Sequence, residues 1–138
     1  ADDRAARHRN APALETLQAN FLASRWAELD PLELEVPVET TVAGTTIRGR
    51  IDAVFADPDH PGGHLIVDWK TGSPRSGAAG RHRAVQLASY VLAWCRLRAV
   101  ARQDVRAAFF HAATGETVWP ELIDEDGLAA ILSAVDPA

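Results

Sequence analysis

Lysine is almost absent from this chain of 138 residues: Lys70 stands alone against thirteen arginines. Methionine is missing, and cysteine and tyrosine occur once each. The lone Cys95 excludes an internal disulfide and any zinc or iron–sulfur centre built from several thiolates. No apolar run approaches the roughly 18 residues of a membrane-spanning helix, and no charged-then-apolar signal segment opens the chain, so the expected location is cytoplasmic. A G-x-x-x-x-G-K-[ST] phosphate loop is also lacking, which puts any nucleotide-driven motor elsewhere. The polar start without Met predicts a piece of a larger protein, with a flexible leader over residues 1–12 and one folded domain over 13–138.

What is present is ordinary for a globular domain, at 47% hydrophobic and 24% charged residues. The net charge of −5 argues against indiscriminate binding of nucleic acid, yet the charge is unevenly spread. From Lys70 to Arg102 there are seven basic residues and no acidic one, while the rest of the chain holds seven basic and all nineteen acidic residues. Such a cationic island suits local phosphate contacts; its plainer reading is a solvated helix face.

Periodicity predicts a mixed α/β unit. Leu14, Leu17, Phe21, Leu22, Trp26 and Leu29 recur at helical spacing, predicting a helix over 13–29. Residues 34–42 alternate, with Leu34, Val36 and Val38 on one face, and Pro37 marks an edge or bulged strand. A tight turn at 42–46 leads to a second strand over 47–56, and a turn-forming cluster at 57–63 to a third over 64–70. After a Gly/Ser/Pro loop at 72–80 come a helix over 84–102, strands at 104–112 and 116–122, and a last helix over 124–135. That order favours helices on both faces of a small sheet containing an antiparallel three-strand meander. His60 and His64 flank the Gly-rich turn and read as surface residues.

Asp68 and Lys70 are two apart on a strand, so they share a face. In a chain that uses Arg almost everywhere, the single Lys suggests a task for a compact, movable charge rather than a rigid fork; an ordinary strand-end salt bridge is the plainer alternative. Asp52 lies in a similarly apolar run on the neighbouring strand, so two carboxylates converge, unless Asp52 simply pairs with Arg48 or Arg50. Like charges about 4 Å apart repel by about 4 kcal/mol at an effective dielectric near 20. A hard divalent cation, Mg²⁺ or Mn²⁺, relieves that conflict through carboxylate oxygens and makes water an attainable nucleophile, with Lys70 placed to orient it or to stabilise charge at phosphorus. Gln86 and Tyr90 share a face of the following helix, with Trp94 continuing the row; a buried, satisfied tyrosine is the alternative there.

Gly49-x-x-Asp52, then Asp68-Trp69-Lys70-Thr71-Gly72, then Gln86-x-x-x-Tyr90 resembles the PD-(D/E)XK nuclease superfamily, its RecB-type branch in particular, over about residues 34–112. The resemblance implies a restriction-endonuclease-like fold and metal-dependent hydrolysis of DNA phosphodiesters. It implies Asp52, Asp68 and the Trp69 carbonyl as ligands of Mg²⁺ or Mn²⁺, Asp52, Asp68 and Lys70 as the catalytic set, and Gln86, Tyr90, Arg81 and Arg83 as DNA contacts. The chain also looks like the nuclease segment at the C-terminus of some UvrD/Rep-type bacterial DNA helicases, which implies helicase motor domains in the same polypeptide and a role in DNA repair. The family carries a further histidine or glutamate ligand on its first helix. His8, in the polar leader, does not match it, so a weakly cutting or inactive DNA-binding module with the same fold is the alternative. Lys70-Thr71-Gly72 is also the K-T-G of serine acyl-transfer enzymes, but no Ser-x-x-Lys or Ser-Asp-Asn accompanies it.

Overall fold

A computed structural model describes residues 13–135. The leader and His8 lie outside the described residues. Helix α1 (Leu14–Leu22) and a 3₁₀ turn (Arg25–Glu28) precede three strands, β1 (Pro31–Val42), β2 (Thr45–Ala56) and β3 (His64–Lys70). Helix α2 (Gly77–Arg98), a 3₁₀ turn (Arg102–Asp104), β4 (Val105–His111), β5 (Glu116–Val118) and α3 (Glu125–Val135) follow. One sheet of order β1-β2-β3-β4-β5 results. The first three strands form the expected antiparallel meander, α2 carries the chain over to β4 parallel to β3, and β5 returns antiparallel. Among the described residues no helix is long and apolar enough to cross a membrane.

Both sheet faces are covered. On one, Val36, Val38, Ile51, Val54 and Ile66 pack against Leu87, Val91 and Trp94 of α2. On the other, Ala53, Phe55, Leu65, Val67 and Phe110 pack around Trp26, with Phe21 and Trp69 joining them. Burying each large apolar side chain stabilises by roughly 1.5–3 kcal/mol, so these two layers hold the sheet as a rigid platform. Helix α3 adds Leu128 against Val42 and Ala88.

Several expected boundaries need correction. The first helix stops at Leu22, because Ser24 is extended and its hydroxyl donates to the Phe21 carbonyl (2.6 Å). Trp26 therefore belongs to a 3₁₀ turn, held by an Nε1–H bond to Thr117 Oγ1 (3.1 Å). Helix α2 begins seven residues before the expected start, its first turn made by the Gly-containing run read as loop, and ends at Arg98 because Ala99 turns left-handed (φ 54°). The fifth strand covers only three residues; Pro120, which lacks an amide hydrogen, lies just beyond it. His64 is half-buried, accepting a bond from Trp94 Nε1 (3.0 Å), so it is no surface residue.

The alternation in β1 also breaks where the site begins. Leu34 pairs with Ala53 on the α1 side, whereas Val36 pairs with Ile51 on the α2 side. Between them Glu35 adopts φ 50°, an uncommon conformation for a non-glycine residue, so the expected common face of Leu34 and Val36 does not form. Ile51 and Ala53 likewise face opposite ways, which makes Asp52 the residue at which β2 is re-aimed.

Candidate active site

The β2–β3 ladder runs from Ala56↔His64 to Ala53↔Val67, and Asp52 is the next residue beyond that last pair. There the Asp52 carboxylate replaces a backbone acceptor: the Trp69 amide donates to Oδ2 at 2.7 Å. The next residue, Lys70, turns to β4, with its carbonyl accepting from Ala112 N (2.8 Å). Successive strand residues direct their peptide groups to opposite sides, so the Trp69 carbonyl points back toward β2 and Asp52. The site lies where two strands part, and a side chain takes over from the ladder.

Asp68 and Lys70 share the α2 face, as their spacing requires, and Lys70 Nζ donates to Asp68 Oδ2 at 2.9 Å. Their side chains retain only 14% and 23% of their accessibility, too little to class the pair as a solvated surface bridge. The ammonium also lies 5.9 Å above the centre of the Phe109 ring. Burial, first, and then the charge and hydrogen bond of Asp68 push the Asp52 carboxyl up to about 6, against the opposing pull of the Trp69 amide and Lys70. The two acids thus sit close enough to share a proton. Oxygen donors from two carboxylates and one carbonyl are what a magnesium-like ion accepts while keeping waters of its own. Among the described residues no group of three or more His, Cys, Asp or Glu side chains converges, so the protein side of such a site is this sparse set.

The expected glutamine and tyrosine divide their roles. Tyr90 faces the carboxylates, and burial together with the Asp68 and Asp52 charges raises its phenol above the usual range, keeping it a proton donor. Gln86, one turn before it on α2, is exposed. Trp94 does not continue that row into the site; it is buried in the core. Gly49 explains the first motif: a Cβ there would fall 2.3 Å from Tyr90 Cε1 and 2.5 Å from its hydroxyl oxygen. Without a side chain at Gly49, the Tyr90 ring packs directly against β2, three residues before Asp52.

One prediction arises directly. Gly49→Ala should lower stability by about 1–3 kcal/mol in urea titration, the usual cost of overpacking, and Tyr90→Ala in the same chain should recover most of that loss. Equal destabilisation in both backgrounds would mean the contact is not the cause.

Arg81 and Arg83 line a cavity with Phe109 and His111, of which Tyr90 is not part. Arg48 pairs with Glu39 (2.8 Å), not with Asp52. His111 is a site neighbour that periodicity did not reveal: it lies across from Lys70 in the parallel register, fully buried, with Nδ1 3.1 Å from the Gly72 carbonyl. Burial, chiefly, holds its imidazole below the usual range. The only signal for it was the apolar run of β4, whose partner strand could not be known in advance.

A mixed sheet between helices, with two acids and one lysine gathered where β2 leaves β3, defines a restriction-endonuclease-like domain. The chain belongs to the PD-(D/E)XK nuclease superfamily, whose family model matches residues 1–136. A solved structure described as the crystal structure of SSO0001 is similar at 17% identity and a TM-score of 0.45, the likeness covering 87% of this chain. The chain spans 55% of the length of that protein. No curated protein matches it.

Proposed function

We propose that this domain hydrolyses DNA phosphodiesters with a bound Mg²⁺ or Mn²⁺ ion. The observation that carries the reading is the convergence of Asp52 and Asp68, where burial and the neighbouring Asp68 charge push the Asp52 carboxyl up to about 6. A pair of acids without a cation is a poor way to stabilise a fold, and a good way to hold one. Asp52, Asp68 and the Trp69 carbonyl are the residues that would ligate the ion, which when bound supplies Lewis-acid activation of water and phosphate. Lys70 orients the attacking water and offsets negative charge growing on the phosphate oxygens; its bond to Asp68 fixes where that charge is met. Tyr90, protonated, donates to the substrate strand or to a carboxylate beside it, with Gln86 on the same helix face. Arg81 and Arg83 approach the strand's backbone from the N-terminal turns of α2. The resemblance to the nuclease segments of UvrD/Rep-type helicases supports a wider setting in which helicase motor domains of the same polypeptide deliver DNA during repair.

The test is direct. Labelled single- and double-stranded DNA should be cut with Mg²⁺ or Mn²⁺ and not with chelator, and either ion should raise the thermal midpoint of the wild-type protein but not of Asp68→Ala. Binding of DNA with no cutting under any metal would instead mark a docking module that has kept the fold.

A further inference from the structure

Phe109 also lines a cavity of about 320 Å³, bounded by the loop before α2, the first turns of that helix and the end of β4. Arg75, Arg81 and Arg83 line it, with Glu121 as an exposed carboxylate at its edge. Arg83 is the informative residue. Its Nη1 is buried and meets no hydrogen-bond acceptor among the described residues. A buried guanidinium donor without an acceptor is costly, and native proteins keep few. His111, the other buried polar group in the wall, points Nδ1 at the Gly72 carbonyl. The residues from Lys70 to Arg102 contain no acid, so no carboxylate near it in sequence can pair with Arg83.

We propose that this cavity is a phosphate subsite. It receives a second phosphate group of the same strand whose scissile bond lies at Asp52, Asp68 and Lys70, with Arg83 as its inner donor and Arg75 and Arg81 beside it. The inference rests on the nuclease reading above and adds to it where the rest of the strand is held. Planar guanidinium forks match phosphate oxygens, and three of them outweigh the one carboxylate at the edge. Phe109 links the two places, since its ring lines the cavity and also lies beneath the Lys70 ammonium. The group can come from a strand end, as a phosphomonoester, or from the interior, as a neighbouring phosphodiester; the chemistry read by Arg83 is the same.

Binding of fluorescent single-stranded oligonucleotides by the full chain in chelator tests it, comparing 5′-phosphate, 3′-phosphate and hydroxyl ends. Arg83→Gln should weaken binding about tenfold and lower the slope of log Kd against log salt by about 0.7, the share of one phosphate contact on a single strand. Its thermal midpoint should stay level or rise, because an orphaned donor has gone. A loss confined to oligonucleotides with one phosphorylated end assigns the cavity to a strand terminus. A loss shared by all ends, and reproduced in the wild type by one methylphosphonate beside the cleavage position, assigns it to the interior. Should Arg83→Gln fold poorly, the exposed Arg81→Gln provides the same slope measurement. Wild-type affinity and salt slope in both variants, in a protein that still cuts DNA, overturn the subsite and leave the nuclease intact. A wild type that neither binds nor cuts DNA removes the nuclease reading and the subsite with it.

Discussion

Replacing Asp52 by asparagine should make the metal-free protein more stable at pH 8 and, at the same time, stop it cutting DNA. Asparagine keeps an oxygen for the Trp69 amide, which now donates to Asp52 Oδ2 at 2.7 Å, and its NH₂ can donate to Asp68 in place of the shared proton. What disappears is a buried negative charge beside another. The sign follows from linkage. The folded pKa of about 6 lies above the 3.8 usual for a free aspartate, so the folded state binds the proton more tightly, and the resulting stability is fully present below about 3.8 and lost as pH rises through 6. Above that point the wild type carries a second carboxylate beside Asp68, only partly offset by the Trp69 amide and Lys70. A shift of this size corresponds to about 3 kcal/mol at full burial; the group is only half-buried, so screening reduces the expected gain to on the order of 1 kcal/mol. In melting curves that is a rise of about 4 °C at pH 8, shrinking toward zero by pH 4. Saturating Mg²⁺ should reverse the order, because only the wild type is stabilised by binding. Cleavage should fall by at least about 10²–10³-fold, the loss typical when a group that meets developing charge is removed. A variant no more stable than wild type at pH 8 would show that the two acids are not in conflict.

This conflict was legible in the sequence only in outline. The spacing of Asp68 and Lys70 on one strand face, and an acid in the preceding apolar strand, were enough to predict convergence, because strand periodicity is strict and a short turn joins the two strands. How Asp52 arrives was not legible. Strict alternation does not hold at Asp52 or Glu35, and a break in alternation depends on backbone geometry that no residue type announces; Glu35 is not the glycine one would look for. The same limit hid the reason for Gly49, which is space for Tyr90 on the following helix rather than a turn. Helix α2 shows the opposite failure. Its first turn, Gly77-Ala78-Ala79-Gly80, opens and closes on glycine inside a Gly/Ser/Pro-rich run, and packing holds Gly80 so near the Arg75 carbonyl that a Cβ would lie 2.5 Å from it. Local composition was outvoted there by the wall of the cavity those residues build.

Lys70→Arg should be nearly as inactive as Lys70→Ala, although it keeps the charge. Lys70 reaches one oxygen of Asp68, Oδ2, at 2.9 Å, and the other oxygen stays available to a cation. A guanidinium in that place would take both carboxylate oxygens in a fork and hold them, since bidentate pairing is the geometry Arg prefers. It would also crowd the Phe109 ring, over which the ammonium now lies. The arginine variant should therefore fold, bind DNA with close to wild-type affinity, lose most of the metal-induced rise in melting temperature, and cut at least about 10²-fold more slowly. The alanine variant separates the two functions of the lysine: it should still respond to metal, because both Asp68 oxygens are free, but cut as poorly as the arginine variant. Measured side by side, the metal response splits the pair while the cleavage rate does not. Wild-type cutting by Lys70→Arg would mean that any positive charge suffices, and that the single lysine in an arginine-rich chain is an accident of sequence rather than a requirement of the site.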